Sequence, residues 1–169
     1  PAAVDALLAA ARAASPRLDL LVNSAALYER APLAELTVER WDAMLNLNLR
    51  APFLLCRGAA PWLREAGGGV IINVADLAGF MPWANYLHYA VSKAGLVAMT
   101  RCLALELAPD IRVNAVAPGT VMPSPLQTEA DLAALISRTP LGELASPADV
   151  AAAILFLAAG PPSVTGQVL

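Results

Sequence analysis

The chain has 169 residues, of which 58% are hydrophobic and 15% are charged, enough for one domain with a sizeable core and too apolar for intrinsic disorder. A formal charge of −3 provides no basic surface for a phosphate backbone, so nucleic acid is not expected as a partner. The mean hydropathy is +0.59, but the apolar runs stop well short of the roughly 18 residues that span a bilayer. Two cysteines and the absence of a basic leader predict a cytoplasmic protein without a disulfide framework or membrane association.

Apolar runs alternate between helical and strand-like patterns along the chain. The predicted elements are helix 4–14, strand 18–23, helix 37–63, strand 70–74, helix 86–107, strand 111–116, helices 130–136 and 147–159, and a last strand opening at Gln167. Pro52 is expected to perturb the long second helix without ending it. A polar loop runs to Gln127. Alternation of strands and helices is typical of an α/β fold with a parallel sheet.

Polar and small residues stand where the predicted strands end. They are Asn23, Ser24 and Ala25 after the first strand, Ala75 and Asp76 after the second, and Pro118, Gly119 and Thr120 after the third. In open α/β sheets, ligands bind outside the carboxyl ends of the strands. The sequence therefore predicts a small-molecule site at this edge.

Tyr89 and Lys93 are four residues apart in a predicted helix, which places a phenol beside an ammonium group. At about 5 Å and an effective dielectric constant near 20, their attraction favours the phenolate by roughly 3 kcal/mol, or about two pKa units. Lys93 is the only lysine among the eleven basic residues. An ordinary surface pair is the common explanation of such spacing, but a lone lysine in this position favours proton transfer by Tyr89.

Four segments of the sequence share an order and spacing with one protein family. They are Leu20–Ala25, Leu47–Leu49, Tyr89–Lys93 and Arg112–Gly119. Together they resemble the short-chain dehydrogenases/reductases, whose fold is a Rossmann-type doubly wound parallel sheet. The resemblance covers residues 1–169 as one domain, equivalent to the C-terminal two-thirds of a typical member. The N-terminal strands and the glycine-rich phosphate-binding turn of the family are absent from this sequence.

The resemblance implies a nicotinamide-dependent oxidoreductase and a role for individual residues. Tyr89 would donate the proton, Lys93 would lower the pKa of Tyr89 and hold the cofactor ribose, and Asn48 would position a relay water. Asn46 is the rival candidate for the last role. The implied cofactor-binding residues are Asn23, Ser24, Ala25, Tyr89, Lys93, Pro118, Gly119 and Val121.

Asp76 stands where most members of this family have a serine. An ionised aspartate accepts hydrogen bonds and cannot donate one to a ketone oxygen. In this respect the sequence is similar to the pteridine reductases, and Tyr28 lies where those enzymes place an aromatic ring against the pterin. The expected function is therefore NADPH-dependent reduction of a pterin-like heterocycle, with Asp76, Tyr28 and Tyr89 contacting the substrate.

Other interpretations stay open at this point. Asp76 would serve only as a cap of the following turn, and Tyr28 only as a cover of the core, if neither contacted substrate. The function would then be that of a generic carbonyl reductase or alcohol dehydrogenase, or of a non-catalytic oligomeric scaffold. The two long helices predict a homotetramer or homodimer, as the resemblance also implies.

The remaining aromatic residues are assigned by their positions in the helices. His88, the only histidine, would lie about 100° around the helix from Tyr89, which predicts a place on the pocket rim or the surface. Because no second histidine or carboxylate cluster accompanies it, no metal is expected. Trp41 and Trp62 are expected in the core or an interface, and Trp83 near the substrate.

Overall fold

The computed structural model describes residues 2–123 and 128–169, so the end of the predicted polar loop at Gln127 lies outside the described residues. The helices and strands are α1 (Ala2–Ala14), β1 (Leu20–Asn23), α2 (Val38–Leu45), α3 (Ala51–Glu65), β2 (Gly69–Val74), α4 (Leu87–Glu106), β3 (Ile111–Val116), α5 (Glu129–Ser137) and α6 (Pro147–Ala159). Every predicted helix and each of the first three strands is present within two residues of its expected limits, except that the long second helix is interrupted.

The three strands form a parallel sheet in the order β1-β2-β3. Val22 pairs with Ile72 and Ile72 with Asn114, so the carboxyl ends of the strands meet at one edge. This confirms the α/β parallel fold. The predicted last strand is reduced to a single parallel bridge between Ala115 and Val168.

Helices cover both faces of the sheet because successive strand residues point to opposite sides. On one face, Ile71 and Val113 pack against Cys56, Ala59 and neighbouring residues of α3 and α4. On the other face, Ile72 and Val116 pack against Leu157 of α6 and its neighbours. Apolar residues on both sides of β2 explain why its sequence is a continuous apolar run.

The long second helix is interrupted by a π-helical turn between α2 and α3, at Asn46–Arg50. The helix begins at Thr37, whose side chain accepts a hydrogen bond from the amide of Arg40. Pro52 has no amide to donate to the carbonyl of Asn48 four residues earlier, so the helix must widen there. Ala51 donates to the carbonyl of Asn46, five residues back. The expected perturbation of the helix by Pro52 is confirmed, and the π-helical turn contains Asn48, a predicted site residue.

A row of neutral polar side chains crosses the core between β1, β2 and α4. We call Asn23, Asn73 and Thr100 the asparagine row. The Nδ2 of Asn23 donates to the Oδ1 of Asn73 at 2.8 Å, and the Nδ2 of Asn73 donates to the Oγ1 of Thr100 at 2.9 Å. Thr100 donates in turn to the carbonyl of Leu96 at 2.8 Å. These bonds fix the end of β1 to the centre of the sheet and to α4.

Among residues 2–123 and 128–169, no helix combines the length and apolar character needed to cross a membrane.

Candidate active site

The segment after β2 places Asp76 between a turn and a helix. Its Oδ1 accepts a hydrogen bond of 2.7 Å from the amide of Ala78 and so caps the short 3-10 turn at 77–79. Its Oδ2 accepts a hydrogen bond of 2.7 Å from the hydroxyl of Tyr89. One carboxylate oxygen therefore caps the turn, as the capping interpretation expected, and the other contacts Tyr89, the predicted proton donor.

Helix α4 carries Tyr89 and Lys93 on the face that packs toward the end of β2. Lys93 is only 3% exposed, and its Nζ donates to the carbonyl of Val74 at 2.8 Å. The same Nζ lies 5.8 Å from the centre of the Tyr89 ring. A lysine ammonium has three donors, so the bond to Val74 leaves two for other partners.

Close backbone contact brings Asp76 within reach of α4. Gly79, in the turn that Asp76 caps, packs directly on the backbone of the helix. A Cβ atom at position 79 would lie 3.1 Å from the carbonyl carbon of Lys93, closer than ordinary van der Waals contact. The absence of a side chain at Gly79 thus allows the approach of the capped turn to the helix.

The acid–base properties of the pair differ from the sequence prediction. The pKa of Tyr89 is raised, because burial disfavours the phenolate and because the hydrogen bond to Asp76 and its negative charge favour the phenol. Burial lowers the pKa of Lys93, and the charge of Asp76 opposes this effect. The prediction that Lys93 brings the pKa of Tyr89 toward neutrality is wrong for this arrangement, since Asp76 is the charged group in contact with the hydroxyl. Tyr89 is held here as a phenol that can donate a proton.

Asn48 is buried in the π-helical turn and anchors the segment that follows β1. Its Oδ1 accepts from the amide of Leu27 at 2.7 Å, and its Nδ2 donates to the carbonyl of Leu27 at 2.9 Å and to the Oγ of Ser92 at 3.1 Å. Asn46 is exposed and accepts only from Arg50. The structure therefore brings Asn48, and not Asn46, toward α4.

Tyr28 lies against the candidate catalytic tyrosine. Its ring centre is 4.9 Å from that of Tyr89 in an edge-to-face arrangement and 5.1 Å from that of Tyr86 in a stacked one. Trp83 extends the group through an edge contact with Tyr86 at 6.1 Å. With 58% of its surface exposed, Tyr28 presents a flat aromatic wall to the solvent side of the site.

The residues predicted to bind a cofactor lie at the same sheet edge. Asn23 is buried there at the end of β1; its Nδ2 is bonded to Asn73, and its Oδ1 has no partner among the described residues. Ser24 and Ala25 are exposed directly after β1. Pro118 and Gly119 follow β3, where the carbonyl of Pro118 accepts from the amide of Leu77 at 3.1 Å.

A cleft of about 450 Å³ opens between the loops after β2 and β3 and helix α5. Leu77, Trp83, Gly119 and Thr120 line its near side, and Arg138 lines its far side. A Cβ atom at Gly119 would meet nothing within 4 Å, so the backbone is open to a ligand there. The buried ammonium of Lys93, with donors left unused, and this open backbone fit the nicotinamide half of a dinucleotide.

His88 corrects a second prediction, because it is neither on the rim nor on the surface. Its side chain is 0% exposed, since the segment after β1 covers this turn of α4. Its Nε2 lies 3.5 Å from the Oε2 of Glu29.

Trp62 is buried as expected, and its Nε1 donates to the carbonyl of Pro16 at 3.1 Å.

Sequence reasoning missed several residues that organise the site. Ser92 was passed over, although it lies within the Tyr89–Lys93 segment and links Asn48 to the carbonyl of Tyr89 at 2.7 Å. Glu29 and Arg40 carried no spacing signal, because they lie on separate segments that only the fold brings together.

Comparisons with known proteins place the chain among oxidoreductases. Residues 1–169 match the family model described as enoyl-(acyl carrier protein) reductase. The 3-oxoacyl-[acyl-carrier-protein] reductase of Thermotoga maritima is 43% identical over 158 residues, which cover 90% of this chain and 64% of that protein. The (5R,7aS)-5-hydroxy-7a-methyl-1-oxo-2,3,5,6,7,7a-hexahydro-1H-indene-carboxyl-CoA reductase of Mycobacterium tuberculosis is 41% identical over 175 residues, which cover 99% of this chain and 66% of that protein.

A solved structure agrees with these relatives. The short-chain dehydrogenase/reductase of Brucella melitensis, described as a glucose/ribitol dehydrogenase, is 32% identical, with a TM-score of 0.86 over 98% of this chain and 66% of that one. The chain therefore spans about two thirds of the length of the proteins it matches.

Proposed function

Because the chain belongs to the short-chain dehydrogenase/reductase family, we propose that it forms the catalytic part of an NAD(P)(H)-dependent oxidoreductase that interconverts a ketone and a secondary alcohol. The observation that carries this proposal is the Tyr89 and Lys93 pair, buried on one helix at the carboxyl edge of the sheet. The two reductases it resembles, from Thermotoga maritima and Mycobacterium tuberculosis, support a carbonyl substrate more than a pterin.

In this proposal each residue has a separate task. When bound, the nicotinamide supplies or accepts the hydride. Tyr89, which its raised pKa keeps protonated, donates the proton to the substrate oxygen. Lys93 uses its remaining donors to hold the cofactor ribose. The backbone carbonyl of Asn48 receives no helical hydrogen bond from residue 52, because Pro52 has no amide proton. This carbonyl is therefore suited to bind a relay water.

The hydrogen bond from Tyr89 to Asp76 favours a second candidate, an NADPH-dependent pterin-type reductase. For Tyr89 to donate to a substrate, Asp76 must release its hydroxyl. An aspartate freed in this way needs a new donor, and the N–H groups of a pterin ring supply one, whereas a simple ketone has none. Tyr28 adds a flat wall on which a planar ring can stack.

Substitution of Asp76 in the full-length protein separates these two functions. We would follow NADPH absorbance with dihydrobiopterin, dihydrofolate, a 3-oxoacyl thioester and a cyclic ketone, each also with NADH. For a carbonyl reductase, Asp76→Ser preserves or raises ketone reduction, because a hydroxyl can donate to the ketone oxygen. For a pterin reductase, the same change abolishes pterin turnover. If neither the parent protein nor the variant turned over any substrate, the scaffold interpretation would replace both.

We also propose that the protein is a homotetramer or homodimer in the cytoplasm, with α3 and α4 as the contact between copies. Phe53, Leu87 and Val91 leave apolar surface exposed on these two helices. Light scattering of the full-length protein tests the oligomer, and a monomeric mass would contradict it.

A further inference from the structure

Tyr28 belongs to an exposed segment that is held at several separate points. We call residues 24–32 the Tyr28 loop. Asn48 binds both the amide and the carbonyl of Leu27, on one side of Tyr28. The amide of Ala31 donates to the carbonyl of Asn85 at 2.8 Å. Between these two points, the loop is held through the side chain of Glu29.

The carboxylate of Glu29 lies between the side chains of Arg40 and His88, which belong to different helices. The guanidinium of Arg40, on α2, is 3.0 Å from its Oε1 and 3.3 Å from its Oε2. The Nε2 of His88, on α4, is 3.5 Å from the same Oε2. The hydrogen bond from Arg40 is the main cause that lowers the pKa of Glu29, and His88 contributes to it while partial burial opposes it. Glu29 is therefore ionised at neutral pH.

Arg40 and His88 are themselves fixed by the fold. Arg40 also donates to the carbonyls of Arg30 and Glu35, at 3.3 and 3.0 Å. The imidazole of His88 is fully buried, and its Nδ1 has no partner within the described residues. Among the described residues, the carboxylate of Glu29 is therefore the polar group that the imidazole of His88 contacts through its ring nitrogens. Removal of its carboxylate would leave the ring without a partner, which a buried polar group tolerates poorly.

We propose that Glu29 and His88 are positioning residues that fix the ring of Tyr28 against Tyr89. Each is the chain neighbour of the tyrosine it positions, Glu29 following Tyr28 and His88 preceding Tyr89. The contact fixes where the aromatic wall stands beside the proton donor, which it touches edge-to-face, and so the affinity for a substrate that binds next to both rings. This role rests on the proposed oxidoreductase function, because Tyr28 matters only if Tyr89 acts on a substrate beside it.

The test uses four variants of the full-length protein. Glu29→Ala and His88→Asn remove the contact from either side. His88→Gln keeps an amide donor near the position of Nε2, so it should restore what His88→Asn loses. Glu35→Ala is the matched control, since it removes a carboxylate from the same surface that contacts neither Arg40 nor His88 through its side chain.

Two measurements are made on each variant. Hydrogen–deuterium exchange reports the loop directly, through the bonded amides of Leu27 and Ala31, and needs no substrate. Steady-state kinetics report KM and kcat for the substrate and KM for the nicotinamide. We expect Glu29→Ala and His88→Asn to raise exchange at both amides and to raise the substrate KM by about fivefold, with kcat nearly unchanged, as for the loss of one hydrogen bond used in binding. His88→Gln and Glu35→Ala should resemble the parent protein.

The other possible results overturn either this proposal or the proposed function on which it rests. Unchanged exchange in Glu29→Ala and His88→Asn overturns it, whatever the kinetics. Raised exchange with an unchanged substrate KM overturns the positioning role, because the loop would then move without effect on the substrate. If the parent protein turns over no substrate, raised exchange still supports the contact between Glu29 and His88, and only the proposed function fails.

Discussion

Two sets of polar side chains bridge the same strand and the same helix, β2 and α4, yet they differ in kind. In the asparagine row, Asn73 and Thr100 are neutral and are bonded to each other inside the core. At the sheet edge, Asp76 and Lys93 carry charges beside the neutral hydroxyl of Tyr89, and the ammonium retains donors that no described residue uses. The bonds of the first set run between its own members and leave the Oδ1 of Asn23 without a partner among the described residues, whereas the second set offers ammonium donors to a ligand.

The difference shows how one interface can serve both stability and chemistry. Neutral partners lose little when they leave water, provided that every bond is made. Charged groups cost more to bury, and burial and charge both shift pKa values at the edge. Burial and then Asp76 raise the pKa of Tyr89, and burial lowers the pKa of Lys93 although Asp76 opposes it. We therefore expect substitutions in the asparagine row to change the free energy of unfolding, and substitutions at the edge to change turnover.

Tyr89→Phe should give the largest effect, a loss of turnover. It removes the proton donor but keeps the ring that packs against Tyr28, so kcat should fall by about 10²- to 10⁴-fold while the unfolding midpoint changes little. NADPH absorbance and thermal unfolding of the full-length protein measure the two quantities. A fall of kcat by less than about tenfold would assign the proton to another group.

Asn73→Ala should produce the opposite pattern. The change removes the acceptor of Asn23 and the donor to Thr100 from a fully buried position, so the free energy of unfolding should fall by about 2–4 kcal/mol. Urea unfolding measures this loss, and kcat per folded molecule should stay near that of the parent. A large loss of kcat with normal stability would break the separation between the two sets.

Asp76→Asn tests the role of charge at the sheet edge, because it removes the negative charge of the carboxylate but keeps an oxygen that can accept a hydrogen bond. Without the negative charge beside it, the pKa of Tyr89 should fall. Reduction needs the protonated phenol, so activity is lost as the pH rises through this pKa. The alkaline limb of kcat/KM should therefore move to lower pH in the variant. An unmoved limb would mean that another group controls it.

The same shift has a consequence for stability in alkaline solution. Because the pKa of Tyr89 is raised in the folded protein, its contribution to stability is fully present below the unfolded pKa of about 10 and is lost as the pH rises beyond it. Unfolding midpoints between neutral and alkaline pH should decline less steeply in Tyr89→Phe than in the parent protein.

Thr100→Val should have the smallest effect. The side chain keeps its shape but no longer accepts from Asn73, so we expect a loss of about 1 kcal/mol in the free energy of unfolding and no change in kcat. Urea unfolding beside Asn73→Ala tests this order. A loss as large as that of Asn73→Ala would mean that the row is one cooperative unit.

The sequence was sufficient to predict elements whose causes are local. The apolar run before Asn73, the cap at Thr37 and the spacing of Tyr89 and Lys93 all depend on neighbours along the chain, and each lies where it was expected. The departure from the family pattern at Asp76 was also visible, and its contact with Tyr89 is consistent with a place in the site.

The sequence could not predict features that depend on segments distant in the chain. The burial of His88 follows from the Tyr28 loop, which lies about sixty residues earlier. The pKa of Tyr89 depends on which charge meets its hydroxyl, and helical spacing indicated only Lys93. The relatives found by comparison, a 3-oxoacyl reductase and an indene-carboxyl-CoA reductase, do not support the subgroup that Asp76 and Tyr28 indicated.

Gly79 has a consequence for how this protein can vary. Its lack of a Cβ atom allows the turn of Asp76 to approach α4, and any larger residue would force the two backbones apart by a few tenths of an ångström or more. A saturation library at position 79 should therefore retain very few active members, whereas one at the exposed neighbour Phe80 should retain many. Mutational tolerance in this loop would then be governed by backbone spacing, at a residue that takes no part in the reaction.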